Sequence, residues 1–420
     1  VIVKLPYADD RLALDLRGFR VRSFTPSAPP ARNAAALAAN ALDEPLAGPS
    51  LEEIARGRRT ATVIVPDVTR KASLSEVLPT VIQRLRRAGV PASGIVILVA
   101  NGTHPAMGEP VLSAHLGSCA PEIPIFEHDS RSPDLTSVGE LRPGLPLRLN
   151  PAAVNTDCLI TVGGVRHHYF AGFGGGPKMI FPGVAGYEEI QANHSLVLDF
   201  DGRRAKKNRR CEPGTLDGNP VAEEVLRAAR LRPPDLALCL VEGRDGGVAW
   251  AGAGPWETAF NTAVERVRSW YEVPMAEPFE LMVACAGGRP TDSTVIQAHK
   301  SLDAACRFMA PDGELLLVAS LDGGLGSDEM TSFIEDPQPH VILDRLSEDW
   351  IQYGHTTLRI VEKTAGFRVH LHTNLDTRVV ERLGFKPLPV PEQLLDEWRQ
   401  HHPGASIGVM AGGAVYPRTA

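Results

Sequence analysis

Asp157-Cys-Leu-Ile-Thr-Val-Gly163 runs directly into Gly164-Val-Arg-His-His-Tyr-Phe-Ala-Gly-Phe-Gly-Gly-Gly-Pro-Lys178. The first half is a short, unbroken apolar run, the pattern of a strand buried on both faces. The second half crowds glycines against histidines and a lysine. Working outward, similar β-branched runs recur at residues 61–66, 94–100, 235–242, 279–286 and 314–320. Amphipathic stretches lie between them, at 74–88, 220–230 and 258–270, and the alanine-rich residues 31–41 read as helical. Continuous strands alternating with helices predict an α/β fold of mostly parallel sheets covered on both faces. In such folds ligands gather at the carboxyl ends of the strands, so the chemistry is sought there.

A chain of 420 residues exceeds one ordinary core, and two domains follow. The proline-bearing stretch Val273-Pro-Met-Ala-Glu-Pro278 marks their boundary, giving residues 1–272 and 273–420. With 43% hydrophobic and 22% charged residues the chain is globular rather than disordered. A formal net charge of -7 argues against a general nucleic-acid binder. One basic run, Arg203, Arg204, Lys206, Lys207, Arg209 and Arg210, reads either as a solvated loop or as a phosphate or partner contact. The six cysteines, Cys119, Cys158, Cys211, Cys239, Cys285 and Cys306, contain no CxxC pair. Three of them (Cys158, Cys239 and Cys285) fall in strand-like runs, where a thiol behaves as a small hydrophobe. This suits a reducing compartment without a disulfide framework or thiolate zinc site. No signal peptide and no membrane-spanning stretch is visible, so cytoplasm is the expectation.

Three strand ends carry unusual polar residues. Residues 61–66 lead into Asp67-Val-Thr-Arg-Lys71, residues 94–100 into Asn101-Gly-Thr-His-Pro105, and the third strand into the glycine-rich segment. Any one of these reads equally as a turn or helix cap; three in consecutive strand–loop units point to chemistry. Gly172, Gly174, Gly175 and Gly176 free the backbone for positive φ and close approach to a ligand, phosphate included. The segment is neither a Walker loop nor a GxGxxG dinucleotide fingerprint. Its setting beside His167, His168, Lys178 and Asn193-His194 separates it from a plain flexible loop.

His168-Tyr-Phe-Ala-Gly-Phe-Gly-Gly-Gly-Pro-Lys178, then Pro182-Gly-Val-Ala-Gly186 and Asn193-His194, resembles the hallmark of the nickel-dependent lactate racemase family. Asp67-Val-Thr-Arg70 and Gly102-Thr-His104 match its upstream motifs in order. Gly287-Gly288 with Gln297-Ala-His-Lys300, and Gly324-Leu-Gly-Ser-Asp328, resemble its later ones. The resemblance implies two α/β domains with the active site in the cleft between them. It implies a nickel-pincer cofactor, a nicotinate-derived mononucleotide whose thioamide and thiocarboxylate sulfurs hold nickel, built by separate maturation enzymes. On this likeness Lys178 is the covalent attachment point on a loop of Gly174, Gly175 and Gly176, and His194 is the protein ligand of nickel. His104 and His168 are the acid/base pair. Arg70 and Lys300 hold the substrate carboxylate, Gln297 assists, and Asp67 supports the site.

The residue types suit that chemistry. The C2 proton of a 2-hydroxy acid is too weakly acidic for a side chain to remove at neutral pH. Taking hydride instead, while a base takes the hydroxyl proton, leaves a planar keto acid, and returning hydride to the other face inverts C2. Two histidines then serve the two enantiomers. Arginine's fork suits a carboxylate, and only a cofactor can accept hydride. Imidazole is a good nickel ligand.

Some positions stay open. His167 is expected to be structural. Lys300 reads either as a substrate contact or as a helix-face cation, and Trp350 as a pocket residue or as packing. Where the family has tyrosine, this chain has Ile296, and the loop Gly288-Arg-Pro-Thr-Asp-Ser-Thr294 adds hydroxyls and Arg289. These departures suggest a substrate longer than lactate, such as a sugar acid (an aldonate). Alternatives are a dehydrogenase or dehydratase using the same cofactor, and a non-catalytic cofactor carrier. Oligomeric state, a homo-oligomer included, is not readable from the sequence.

Overall fold

The computed structural model describes residues 1–70, 72–117, 123–201, 204–412 and 415–418. Lys71, Cys119 and Arg203 lie outside the described residues. The chain divides into two compact units. A central unit comprises Ala28–Val197 and Asn208–Ser269; a terminal unit comprises Val1–Ser27, Leu198–Lys207 and Trp270–Ala420.

The central unit is built on a six-stranded sheet. Its spatial order is Val248–Gly254, Leu236–Glu242, Cys158–Gly164, Ala61–Pro66, Ile95–Ala100 and Ile125–Glu127. The first pair is antiparallel and all the others are parallel. Every residue of Ala61–Pro66 is buried because both faces are covered. Val63 and Val65 pack on one side with helix α1 (Leu74–Arg87), which turns Leu74, Val77, Leu78, Val81, Ile82 and Leu85 inward at helical spacing. Ile64 points the other way, into a cluster with Phe181, Ile190 and Val225. From Ala61–Pro66 the chain moves to one neighbour, Ile95–Ala100, and later to the other, Cys158–Gly164. The connections after these strands therefore leave in opposite directions, the topological switch point at which open α/β sheets bind ligands.

The terminal unit holds a second six-stranded sheet, entirely parallel, in the order Lys386–Pro387, Arg368–His372, Met309–Val318, Phe279–Cys285, Ser406–Met410 and Arg20–Ser23. The two segments taken from the first 272 residues differ from the expected division, and strand pairing gives the reason. Arg20–Ser23 pairs with Ser406–Val409, and Leu5, Leu14 and Leu16 pack with Leu281, Ile407 and Val409. Leu198–Asp201 and Arg204–Lys207 form a hairpin, in which Lys207 of the basic run pairs with Glu362 at 2.5 Å.

Cys158, Cys211, Cys239, Cys285 and Cys306 are buried. Burial pushes the thiols of Cys158, Cys239, Cys285 and Cys306 up to about 12, so these side chains act as small apolar groups. Among the described residues no helix is long and apolar enough to cross a membrane.

Candidate active site

The strand Ala61–Pro66 ends in a turn closed by Arg70 N–H donating to Asp67 carbonyl oxygen, 3.1 Å. The Asp67 side chain is buried and accepts from the Thr69 N–H at 2.9 Å. From the neighbouring strand, the turn at Asn101 brings His104 Nδ1 to 2.6 Å from Asp67 Oδ2. Burial pushes the Asp67 carboxyl up. The bond to His104, the charges of His104 and Arg70, and Thr69 outweigh it and hold the group well below the usual carboxylate range. A carboxylate can only accept, so Nδ1 carries the proton and the Nε2 lone pair of neutral His104 is left as a base. The side chain keeps 31% exposure, enough to meet a ligand.

The third strand continues into a tight hairpin, Arg166–His168 against Gly172–Gly174. At its tip the Ala171 N–H donates to His168 Nδ1 at 3.3 Å, so in neutral His168 the proton sits on Nε2. Adjacent strand residues point to opposite faces, and His167 packs on Phe173 with ring centres 4.9 Å apart, as expected of a structural residue. Beyond the hairpin the chain tightens into a short helix, Gly176–Met179, which carries Lys178. Glycine is required on the way for packing. A Cβ on Gly175 would lie 2.3 Å from Gly164 carbonyl oxygen, and one on Gly176 would lie 2.4 Å from the Phe260 ring. Gly174 differs: a Cβ there would meet nothing nearer than His168 Cδ2 at 3.8 Å.

Phe170, buried at the hairpin tip, is the hub of the site. Its ring lies edge-on to His168 at 4.6 Å and to His194 at 5.2 Å, and Lys178 Nζ sits 5.6 Å from its centre. His194 closes helix α2 (Tyr187–His194). Its Nδ1 is buried and has no hydrogen-bond partner among the described residues. Burial, then the nearby charges of Lys178 and His104, lower this imidazole to about 3, so it is neutral. Burial and the charge of Arg70 lower the Lys178 amine to about 7. Asp67, Arg70, His104, His168, Lys178 and His194 are thus brought together in the central unit.

Gln297 and Lys300 belong to the terminal unit, on helix α3 (Val295–Cys306), where Lys300 Nζ donates to Gln297 Oε1 at 2.6 Å. The hydroxyl-rich loop before α3 is largely committed to itself. Thr294 caps the helix by accepting from Gln297 N–H at 3.3 Å, and Thr291 donates to Gly288 carbonyl oxygen at 2.7 Å. Arg289 pairs with Asp9 at 3.1 Å and with Asp322. These groups give no reason to prefer a polyhydroxy substrate. Trp350 stacks on His355, ring centres 5.4 Å apart, in the terminal unit.

Three supporting residues escaped the sequence reading. Glu127 Oε1 accepts from Met107 N–H at 2.7 Å and Asn101 Nδ2 at 3.3 Å, holding both ends of the His104 turn. Glu224 accepts from Asn193, next to His194, at 3.0 Å. Asn219 donates to the hairpin tip. The one visible signal was an Asn-Pro step opening the helix Pro220–Leu231.

Comparison with known proteins completes the picture. The family profile described as the lactate racemase N-terminal domain matches residues 9–205. Lactate racemase of Thermoanaerobacterium thermosaccharolyticum is 29% identical over 355 residues, covering 82% of this chain and 80% of the relative. That of Lactiplantibacillus plantarum is 30% identical over 302 residues, covering 71% and 69%. Among solved structures, the lactate racemase apoprotein from T. thermosaccharolyticum matches with a TM-score of 0.88 over 100% of both chains, at 24% identity. A crystal structure of a protein from Thermotoga maritima matches with a TM-score of 0.68 at 16% identity, covering 92% of this chain and 99% of that one. At these identities the two structures speak for the fold.

Proposed function

The chain belongs to the lactate racemase family, and on that premise we propose that it inverts C2 of a small 2-hydroxy acid by removal and return of hydride. The observation that carries this reading is the pair formed by Lys178 and His194 around Phe170. A lysine amine lowered to about 7 is a nucleophile near neutral pH, as a covalent tether requires. An imidazole lowered to about 3, with an unbonded buried Nδ1, is the neutral nitrogen donor that a metal requires. Among the described residues no three His, Cys, Asp or Glu side chains cluster to hold an ion. A metal resting on His194 therefore needs donors from a cofactor, and the sulfurs of a nickel-pincer mononucleotide meet that need.

That group, when bound, supplies the hydride acceptor that side chains lack. Lys178 anchors it and His194 supplies the protein ligand. Arg70 orients the substrate carboxylate, with Gln297 and Lys300 as further expected contacts. His104 Nε2 takes the hydroxyl proton of one enantiomer while Asp67 fixes the ring and steadies the resulting imidazolium. His168 presents Nε2 on the other side and, in its protonated imidazolium form, returns a proton from there. Inversion through a keto acid demands one ring neutral and the other protonated, the two exchanging roles with the direction of turnover. Gly174, Gly175 and Gly176 shape the loop beneath the tether.

The test is to co-produce the chain with cofactor-maturation enzymes and compare intact masses of wild type and Lys178→Ala. The product is then assayed by chiral chromatography on lactate and on longer 2-hydroxy acids, aldonates included. We expect a mass increment only in wild type, and each enantiomer turning into the racemate without an added electron acceptor. A wild type carrying the increment but inverting no acid would favour a carrier. Net oxidation or loss of water would favour a dehydrogenase or dehydratase.

A further inference from the structure

We propose that Asn219 is a positioning residue for this reaction: it fixes the hairpin tip that sets Phe170 and His168, an inference that rests on the function proposed above. Asn219 is 0% exposed, and its amide is used in full. Nδ2 donates to Phe170 carbonyl oxygen at 2.9 Å and to Thr215 carbonyl oxygen at 3.0 Å. Oδ1 accepts from the Ala222 N–H at 3.3 Å, capping the helix Pro220–Leu231, and from Cys211 Sγ at 3.5 Å.

The hairpin tip has only Tyr169, Phe170 and Ala171 between its strands, so a bond to the central carbonyl constrains the whole turn. Two consequences follow within the tip. The Ala171 N–H stays aimed at His168 Nδ1, which keeps the His168 proton on Nε2. The Phe170 ring stays edge-on to His168 and His194 and beneath Lys178. The same helix start also holds His194 from behind. The side chain of Asn193 donates to Val221 carbonyl oxygen at 3.2 Å and to Glu224 Oε2 at 3.0 Å. One helix N-terminus therefore registers the acid/base histidine and the ligand histidine against each other, and Asn219 is the link on the hairpin side. A buried carbonyl that loses its donor shifts to find another, and misplacement of about 1 Å at a reacting group slows turnover by about 100-fold.

The experiment compares Asn219→Asp and Asn219→Ser with Val225→Ala, a buried apolar truncation in the same helix. Both Asn219 variants keep a capping oxygen and lose the paired donation. In cofactor-loaded protein we expect kcat to fall about 10- to 100-fold with KM within about twofold, while Val225→Ala, at matched loss of Tm, keeps kcat within about twofold. In the apoprotein, the His168 imidazole resonances should shift in the uncharged Asn219→Ser and stay in place in Val225→Ala. Equal losses of kcat at matched Tm, or unmoved His168 resonances in Asn219→Ser, would overturn the proposal. Should wild type invert no acid, the functional reading fails, and the resonance comparison still decides whether Asn219 sets the hairpin tip. If Asn219→Asp does not fold, Asn219→Ser carries both measurements.

Discussion

The Asp67–His104 pair and the Lys178–His194 pair occupy the same unit, yet one is built on a carboxylate while the charges that shift the other are cations. Asp67 holds a proton on its histidine and gains charge stabilisation from His104 and Arg70. Around Lys178 and His194 the neighbours are an aromatic ring, another cation and buried backbone, and both groups are driven toward neutrality. The first arrangement leaves a ring nitrogen able to accept a proton beside a carboxylate that would steady the charge, as the proposed function requires. The second leaves an amine and an imidazole neutral near pH 7, the states that the proposed tether and metal ligand require and that a nearby carboxylate would oppose. The same residue type, histidine, is given opposite tasks by what faces it.

Replacing residues on either side of this contrast should break it in graded ways. The largest effect is expected from His194→Ala. Metal retained by the loaded protein, measured by elemental analysis after gel filtration, should fall by about 100-fold or more, and turnover with it. Full nickel content in that variant would remove His194 from the metal. Next comes the carboxylate side: His104→Ala should lower kcat by about 10³-fold and Asp67→Asn by about 10²-fold. Because folding lowers the Asp67 carboxyl, its contribution to stability is present above the unfolded value near 3.9 and is lost as pH falls through the folded value. The Tm difference between wild type and Asp67→Asn should accordingly be full at neutral pH and shrink below about pH 4.

On the Lys178 side the sign reverses. The Lys178 amine lies at about 7 in the folded chain against 10.5 ordinarily, so between those values the unfolded chain binds the extra proton and native stability rises with pH. Lys178→Met apoprotein should melt a few degrees above wild type at pH 7 and below, with the advantage vanishing toward pH 10.5. A methionine variant less stable at pH 7 would show that the amine is not held against its charge. The smallest effect is expected at Gly174. Gly174→Ala should alter Tm by no more than about 1 °C, whereas Gly176→Ala, at φ +51 and against Phe260, should destabilise by about 1–3 kcal/mol.

Much of the central unit was legible because its signals are local. The strands at Ala61–Pro66, Ile95–Ala100 and Cys158–Gly164 announce themselves by β-branched continuity, and Asp67, His104 and the glycine segment follow them at once. The supporting residues were not legible. Glu127, Asn219 and Glu224 act across separations of tens of residues, and a lone buried polar side chain leaves no periodic trace. The hydroxyl-rich loop shows the same limit: its composition is visible, but the partners that occupy Thr291, Thr294 and Arg289 are not.

By itself the sequence determined the alternation of strand and helix, the polar strand ends, and the order of His104, His168, Lys178 and His194, to which the family resemblance attaches the proposed roles. These are matters of spacing along the chain, where steric period and side-chain type decide. Tertiary structure alone decided which strands lie side by side, that residues 1–27 complete the sheet of the C-terminal half, and which histidine meets a carboxylate. Pairing energies come from groups distant in sequence, and the protonation of a buried side chain is set by those neighbours rather than by its own identity.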